Sequence, residues 1–154
     1  MTLLRFSRGA GRAAAVVRAV SFSRHAEVGF KLDTGLVLDS TPGLGLMTRE
    51  AKDDATTLYF DILAPSTHIT KALAWARGQA GAPFDWSVMF SWRGRPVWWM
   101  DETRWFPSEL IAAAFIEAQW PLVRGGQAFD RITPRDLLLS TRIKPVKRGN
   151  EGGQ

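Results

Sequence analysis

Five of the seven tryptophans, Trp86, Trp92, Trp98, Trp99 and Trp105, fall within twenty positions and are interleaved with Arg93, Arg95 and Arg104. Indole beside guanidinium suits two kinds of contact. Nucleic-acid bases stack on indole while arginine holds phosphate. Trp and Arg also anchor protein interfaces. Core packing is the third reading, because tryptophan is largely buried on average. Trp98 and Trp99 lie between charged and Gly/Pro-containing segments without periodicity. Trp98, Trp99, Arg93 and Arg95 are therefore the candidate binding residues, with a protein partner favoured over nucleic acid.

Other chemistry is bounded by what the chain lacks. It has no cysteine, so thiolate zinc sites, disulfides and a cysteine nucleophile are excluded. It has two histidines, His25 and His68, too few for a multi-histidine metal centre. The sequence calls for no cofactor. His68 stands near a helix start and reads as solvent-facing, without a role.

Twenty Lys and Arg stand against fifteen Asp and Glu, a net charge of +5 concentrated at the two ends. Arg5, Arg8, Arg12, Arg18 and Arg24 precede the first acid, Glu27. Such an end can attract nucleic acid, anionic lipid or an acidic partner. Arg12 and Arg18 read more simply as the solvated face of a helix. An acid-free, Arg-rich start also has the composition of a presequence, though weakly. No apolar run reaches the roughly 18–20 residues that span a bilayer. Of the 154 residues 45% are hydrophobic and 23% charged, which excludes disorder as the dominant state. The length suits one domain over 1–146, with a Gly- and charge-rich flexible tail at 147–154.

The elements that must position these groups are short. Strands are expected at 3–6, 27–32, 36–40, 44–47 and 58–63. The second and third form a hairpin around Asp33, Thr34 and Gly35. A helix over 12–20 carries Ala13, Val16, Val17 and Val20 on one face. A second helix runs from His68 to about Ala80, where Gly81, Ala82 and Pro83 stop it. Residues 85–92 allow a further helical turn or two. The clearest helix covers 107–118, with Pro107 at its first position and Glu109 in its first turn. Asp136, after Thr133 and Pro134, can bond the backbone of a turn or helix start. The order predicts an α+β fold with an antiparallel sheet packed against helices.

Four segments taken together resemble the circularly permuted papain-like cysteine peptidases and amidases of the NlpC-type superfamily. They are Ser23 to Val28, Gly81 to Trp86, Arg104 to Ala113, and Arg131 to Leu137. The resemblance extends over 3–146 and is carried by the order of the segments. It implies a first sheet strand bearing a histidine and, two residues on, an acid or amide; His25 and Glu27 match those positions. A carboxylate orienting a general base would be the chemistry. It implies a nucleophilic cysteine in a Trp-Phe-Cys-Ser-Glu-Leu motif at a helix start, where Pro107 stands here. Proline offers no nucleophile and no backbone N–H. Ser108, the alternative nucleophile, is turned about 100° from its helix neighbour. Trp86 and Trp105 match core positions of that family, and Asp85 and Asp136 its structural acids.

The resemblance thus implies a pseudoenzyme: a non-catalytic structural or adaptor protein of a phage or prophage tail tip or baseplate. Its partners would be other virion proteins, with a cell-wall peptide or glycan as a possible ligand. Its location would be the virion, or the bacterial cytoplasm before assembly. The alternative is a peptidoglycan or amide hydrolase using Ser108, or water activated by His25 and Glu27.

Overall fold

A computed structural model describes residues 2–87, 103–123 and 132–146 of the chain. Trp98, Trp99, Arg93 and Arg95, the remainder of the 85–92 segment, Arg131 and the 147–154 tail lie outside the described residues.

Six strands form one antiparallel sheet: β1 (Leu3–Ser7), β2 (Glu27–Lys31), β3 (Val37–Thr41), β4 (Gly45–Arg49), β5 (Leu58–Ile62) and β6 (Ile143–Pro145). Their order across the sheet is β4-β3-β2-β1-β5-β6. The helices are α1 (Gly11–Ser21), α2 (Ser66–Gly78), α3 (Pro107–Glu117) and the short α4 (Pro134–Leu138). The α+β class with an antiparallel sheet is as the sequence predicts. The expected strands and the first, second and 107–118 helices are all present, with ends shifted by a few residues.

β1 is central because both neighbours pair along it: Leu4 faces Phe30 and Phe60, and Phe6 faces Val28 and Leu58. Period two then sorts the side chains. Leu4, Phe6, Val28, Phe30 and Leu38 turn to one face and are buried in the core. Arg5, Ser7, Glu27 and Asp39 occupy the other face, where Arg5 and Asp39 are also buried. An antiparallel sheet tolerates this split between an apolar and a polar face.

The apolar face is closed mainly by α3, in which every residue from Pro107 to Phe115 is buried. A helix apolar on nearly every side belongs inside the protein. Pro107 begins it where no N–H is needed, and Glu109 Oε2 accepts the N–H of Phe106 at 3.3 Å. The edge strand β6, pairing only with β5, is unexpected. Lys144 and Pro145 carry no strand propensity; the pairing register decides it.

Candidate anion-binding groove

The polar face of the sheet is already committed. Arg49 donates from Nε and Nη2 to the two carboxylate oxygens of Asp39, at 3.0 and 2.8 Å. Arg5 donates to Asp53 Oδ1 at 3.0 Å, to the Lys52 carbonyl at 2.8 Å and to Ser7 Oγ at 3.1 Å. Glu27 Oε2 accepts from Ser7 Oγ at 2.7 Å and lies 3.7 Å from Arg49 and 3.9 Å from Arg5. Burial pushes the Asp39 carboxyl up, and the Arg49 fork opposes that shift. These acids and guanidinium groups satisfy one another.

His25 goes elsewhere. It precedes β2, and its ring lies edge-on to Phe6 of the apolar face, with centroids 6.2 Å apart. Strand alternation through residue 25 would have put it beside Glu27. Instead α1 ends at Phe22, whose φ of +50° turns the chain before the ladder begins. The His25 N–H donates to Ser23 Oγ at 3.2 Å. Its Nδ1 is buried without a partner, in a residue only 9% exposed. Burial lowers its pKa; the charge of Arg24 lowers it further, while a hydrogen bond to the Thr56 backbone and the charge of Asp54 act the other way.

The structure therefore does not join His25 to Glu27 and Pro107. Glu27 and Pro107 line a cavity of about 190 Å³ with Ala14, Val17 and Phe84. His25 lines a separate, open groove of about 740 Å³ with Arg8, Arg18, Ala19, Ser23, Arg24, Thr56 and Leu58. Ser108 reaches neither: it is fully buried, and its hydroxyl donates to the Ile132 carbonyl at 2.6 Å.

Among other side chains, Trp86 and His68 depart from expectation, while Trp105 and Asp136 stand as the sequence predicts. Trp105 is buried and its ring meets Trp75 edge-on, whereas Trp86 is 44% exposed and its ring meets that of Phe84 edge-on. His68 is half-buried rather than turned out to solvent; its Nδ1 is 2.7 Å from the Ala118 carbonyl and its ring contacts Trp120 at a tilt, tying the start of α2 to the end of α3. Asp136 accepts the Thr133 N–H at 2.8 Å and caps α4.

The groove itself was missed from sequence. It is built where β1 passes into α1. Arg18, on α1, donates from Nη1 to the Arg8 carbonyl at 2.7 Å and the Gly9 carbonyl at 3.3 Å. These bonds hold the guanidinium in place and fix the strand-to-helix turn. Arg8 and Arg24 are exposed at the rim, and no acid lines the groove among the described residues. The acid-free run of arginines before Glu27 was the available signal.

No protein-family model and no curated protein matches the chain. Among solved structures it is similar to the crystal structure of metalloprotein yiiX from Escherichia coli O157:H7, DUF1105, with a TM-score of 0.70, 10% identity and 94% of each chain covered. That match overturns the papain-like reading: the neighbour is a DUF1105 metalloprotein, not an NlpC-type peptidase. The phage-tail pseudoenzyme and the peptidoglycan or amide hydrolase rested on the same resemblance and fall with it.

The neighbour's description raises the question of a metal. The donors here do not suit one. No group of three or more His, Cys, Asp or Glu that could hold an ion occurs among the described residues. Glu27, Asp39 and Asp53 are held by arginines, and His25 shares its groove with three more. At this identity the likeness extends to the fold alone: the chain is folded like the yiiX structure.

Proposed function

We propose that this chain is a non-catalytic binding protein for a small anion or anionic group, taken up in the groove of Arg8, Arg18, Arg24 and His25. One observation carries the reading: three arginines, Arg8, Arg18 and Arg24, line an open groove with no carboxylate among its lining residues. Guanidinium forks match phosphate and carboxylate oxygens, and a charge-assisted bond is roughly twice as strong as a neutral one. Arg18 is already oriented by its backbone bonds, so less freedom is lost on binding.

The non-catalytic part rests on the nucleophiles. The chain has no thiol, and the Ser108 hydroxyl is spent on a backbone carbonyl. Ser23 Oγ accepts the His25 backbone N–H, and the ring nitrogen Nδ1 bonds to no hydroxyl.

Calorimetric titration with inorganic phosphate and glycerol 3-phosphate, against glycerol, tests the reading. Saturable binding of the phosphates is expected, weakening as salt is raised. Replacing Arg8 and Arg24 together by Gln is expected to weaken it at least about tenfold, the loss of two charge-assisted contacts. Equal heats for glycerol and glycerol 3-phosphate, or an unchanged affinity in the double variant, would remove this function.

A further inference from the structure

α1 presents a second face beside the groove. Its inner face, Ala14, Val17 and Ser21, is buried, with Ala14 and Val17 packed against Ala26, Phe84 and Phe106. Its outer face carries Arg12, Ala15, Val16 and Ala19, all exposed, and Ala19 also lines the groove. Phe22 follows, 83% exposed. Its φ of +50° is in the left-handed region that glycine normally fills at a helix end. A large aromatic is disfavoured there twice, by its backbone and by its contact with water. Two such costs at one exposed residue point to a use for the side chain.

The charges near this apolar strip are mostly positive. Arg12 lies on the same face, Arg8, Arg18 and Arg24 line the adjoining groove, and Asp54 is the one acid that acts on His25 there among the described residues. Arg5 does not contribute, because it is buried and paired with Asp53 and Glu27. An apolar strip with arginines along its borders is complementary to an anionic lipid surface, whose headgroups carry phosphate above an acyl boundary.

We propose that the outer face of α1 docks on anionic membranes, with Phe22 and Val16 entering the headgroup–acyl boundary and one lipid phosphate seated between Arg8, Arg18 and Arg24. The phosphate seat rests on the anion-binding reading of the groove; the insertion of Phe22 and Val16 does not. Binding of this kind lays the protein on the surface and needs no spanning segment. No helix among the described residues is long and apolar enough to cross a membrane.

The test is co-sedimentation of the full chain with vesicles of phosphatidylcholine containing phosphatidylglycerol, against phosphatidylcholine alone. Binding to the anionic vesicles is expected, with loss at high salt. Arg12→Gln, outside the groove, should weaken partitioning roughly fivefold, the contribution of one basic residue near such a surface. Phe22→Gly should weaken it about tenfold or more, the loss of one buried aromatic side chain. The glycine also relieves the left-handed backbone, so its thermal midpoint should not fall, and a loss of binding cannot be charged to unfolding.

Equal partitioning to both vesicles, or full partitioning of Phe22→Gly, overturns the proposal. So does concentration-dependent self-association that Phe22→Gly abolishes in the absence of vesicle binding, which would make a second copy the occupant. Vesicle binding without any affinity for glycerol 3-phosphate would overturn the phosphate seat while the docking face stands. Affinity for glycerol 3-phosphate without vesicle binding would leave the groove and overturn the docking face.

Discussion

The imidazole of His25 meets the ring of Phe6 edge-on, with centroids 6.2 Å apart and planes at 78°, and its Nδ1 is buried without a partner. This contact puts the histidine on the apolar side of the sheet, while Glu27, two residues later, turns to Ser7 and the arginines on the polar side. Neutral imidazole suits the first environment and an ionised carboxylate the second.

Protonation of His25 should therefore oppose folding. Its folded pKa is below the ordinary value of 6.5, with burial the main cause. The unfolded chain then binds the proton first as pH falls, so stability rises with pH across this window. Thermal midpoints should drop as pH is lowered from about 8 to about 5. His25→Asn should flatten that part of the profile. Arg8, Arg18 and Arg24 line the same groove, where the charge of Arg24 disfavours the protonated ring and that of Asp54 favours it. A profile unchanged by His25→Asn would show that the ring's protonation does not oppose folding.

Arg49→Met should be among the most damaging single changes on the polar face. It strips the two Arg49 bonds from Asp39, which is 1% exposed, and leaves that carboxylate with the Thr41 hydroxyl but without its counter-ion. Breaking a buried pair from one side costs roughly 3–5 kcal/mol. The loss should shrink at acid pH, where Asp39 takes up a proton and the buried charge disappears. Urea denaturation at neutral and acid pH reads both effects.

Gly45→Ala tests how closely β4 approaches the turn after α2. A Cβ at Gly45 would come within 2.5 Å of the Ala82 carbonyl oxygen, and the residue has a φ of +75°. Leu46 N–H donates to that same carbonyl at 2.8 Å, so the backbone cannot simply move aside. A loss of about 3 kcal/mol is expected from combined overpacking and strain, measured by chemical denaturation.

Ser108→Ala separates a structural serine from a reactive one. The change removes the 2.6 Å bond to the Ile132 carbonyl, which joins α3 to the segment entering α4. About 1–2 kcal/mol of stability should be lost. Phosphate affinity should be unchanged, since Ser108 does not line the groove.

Much of the fold was legible in the sequence because its signals are local. Pro107 and Glu109 mark a helix start within a single turn of chain, and α3 begins there. Asp33, Thr34 and Gly35 mark a turn between two β-prone runs; across it the Gly35 N–H donates to the Leu32 carbonyl and the Leu32 N–H to the Leu36 carbonyl. Composition alone removed thiol chemistry. The acid-free arginine run announced a cationic end, though not its shape.

The site depended on contacts between distant parts of the chain. Arg8, Arg18 and Arg24 meet where β1 passes into α1, and Thr56 and Leu58 join them because β5, far off in sequence, pairs with β1. Arg5 belongs to the same basic run but is buried under Asp53, so its charge is spent inside the fold. His25 and Glu27 share a two-residue spacing, yet the helix end at Phe22 delays the strand and puts them on opposite faces. Periodicity describes a side chain's direction only within an element. Where each element begins, and what covers its faces, is decided by the packing of the whole sheet and its helices.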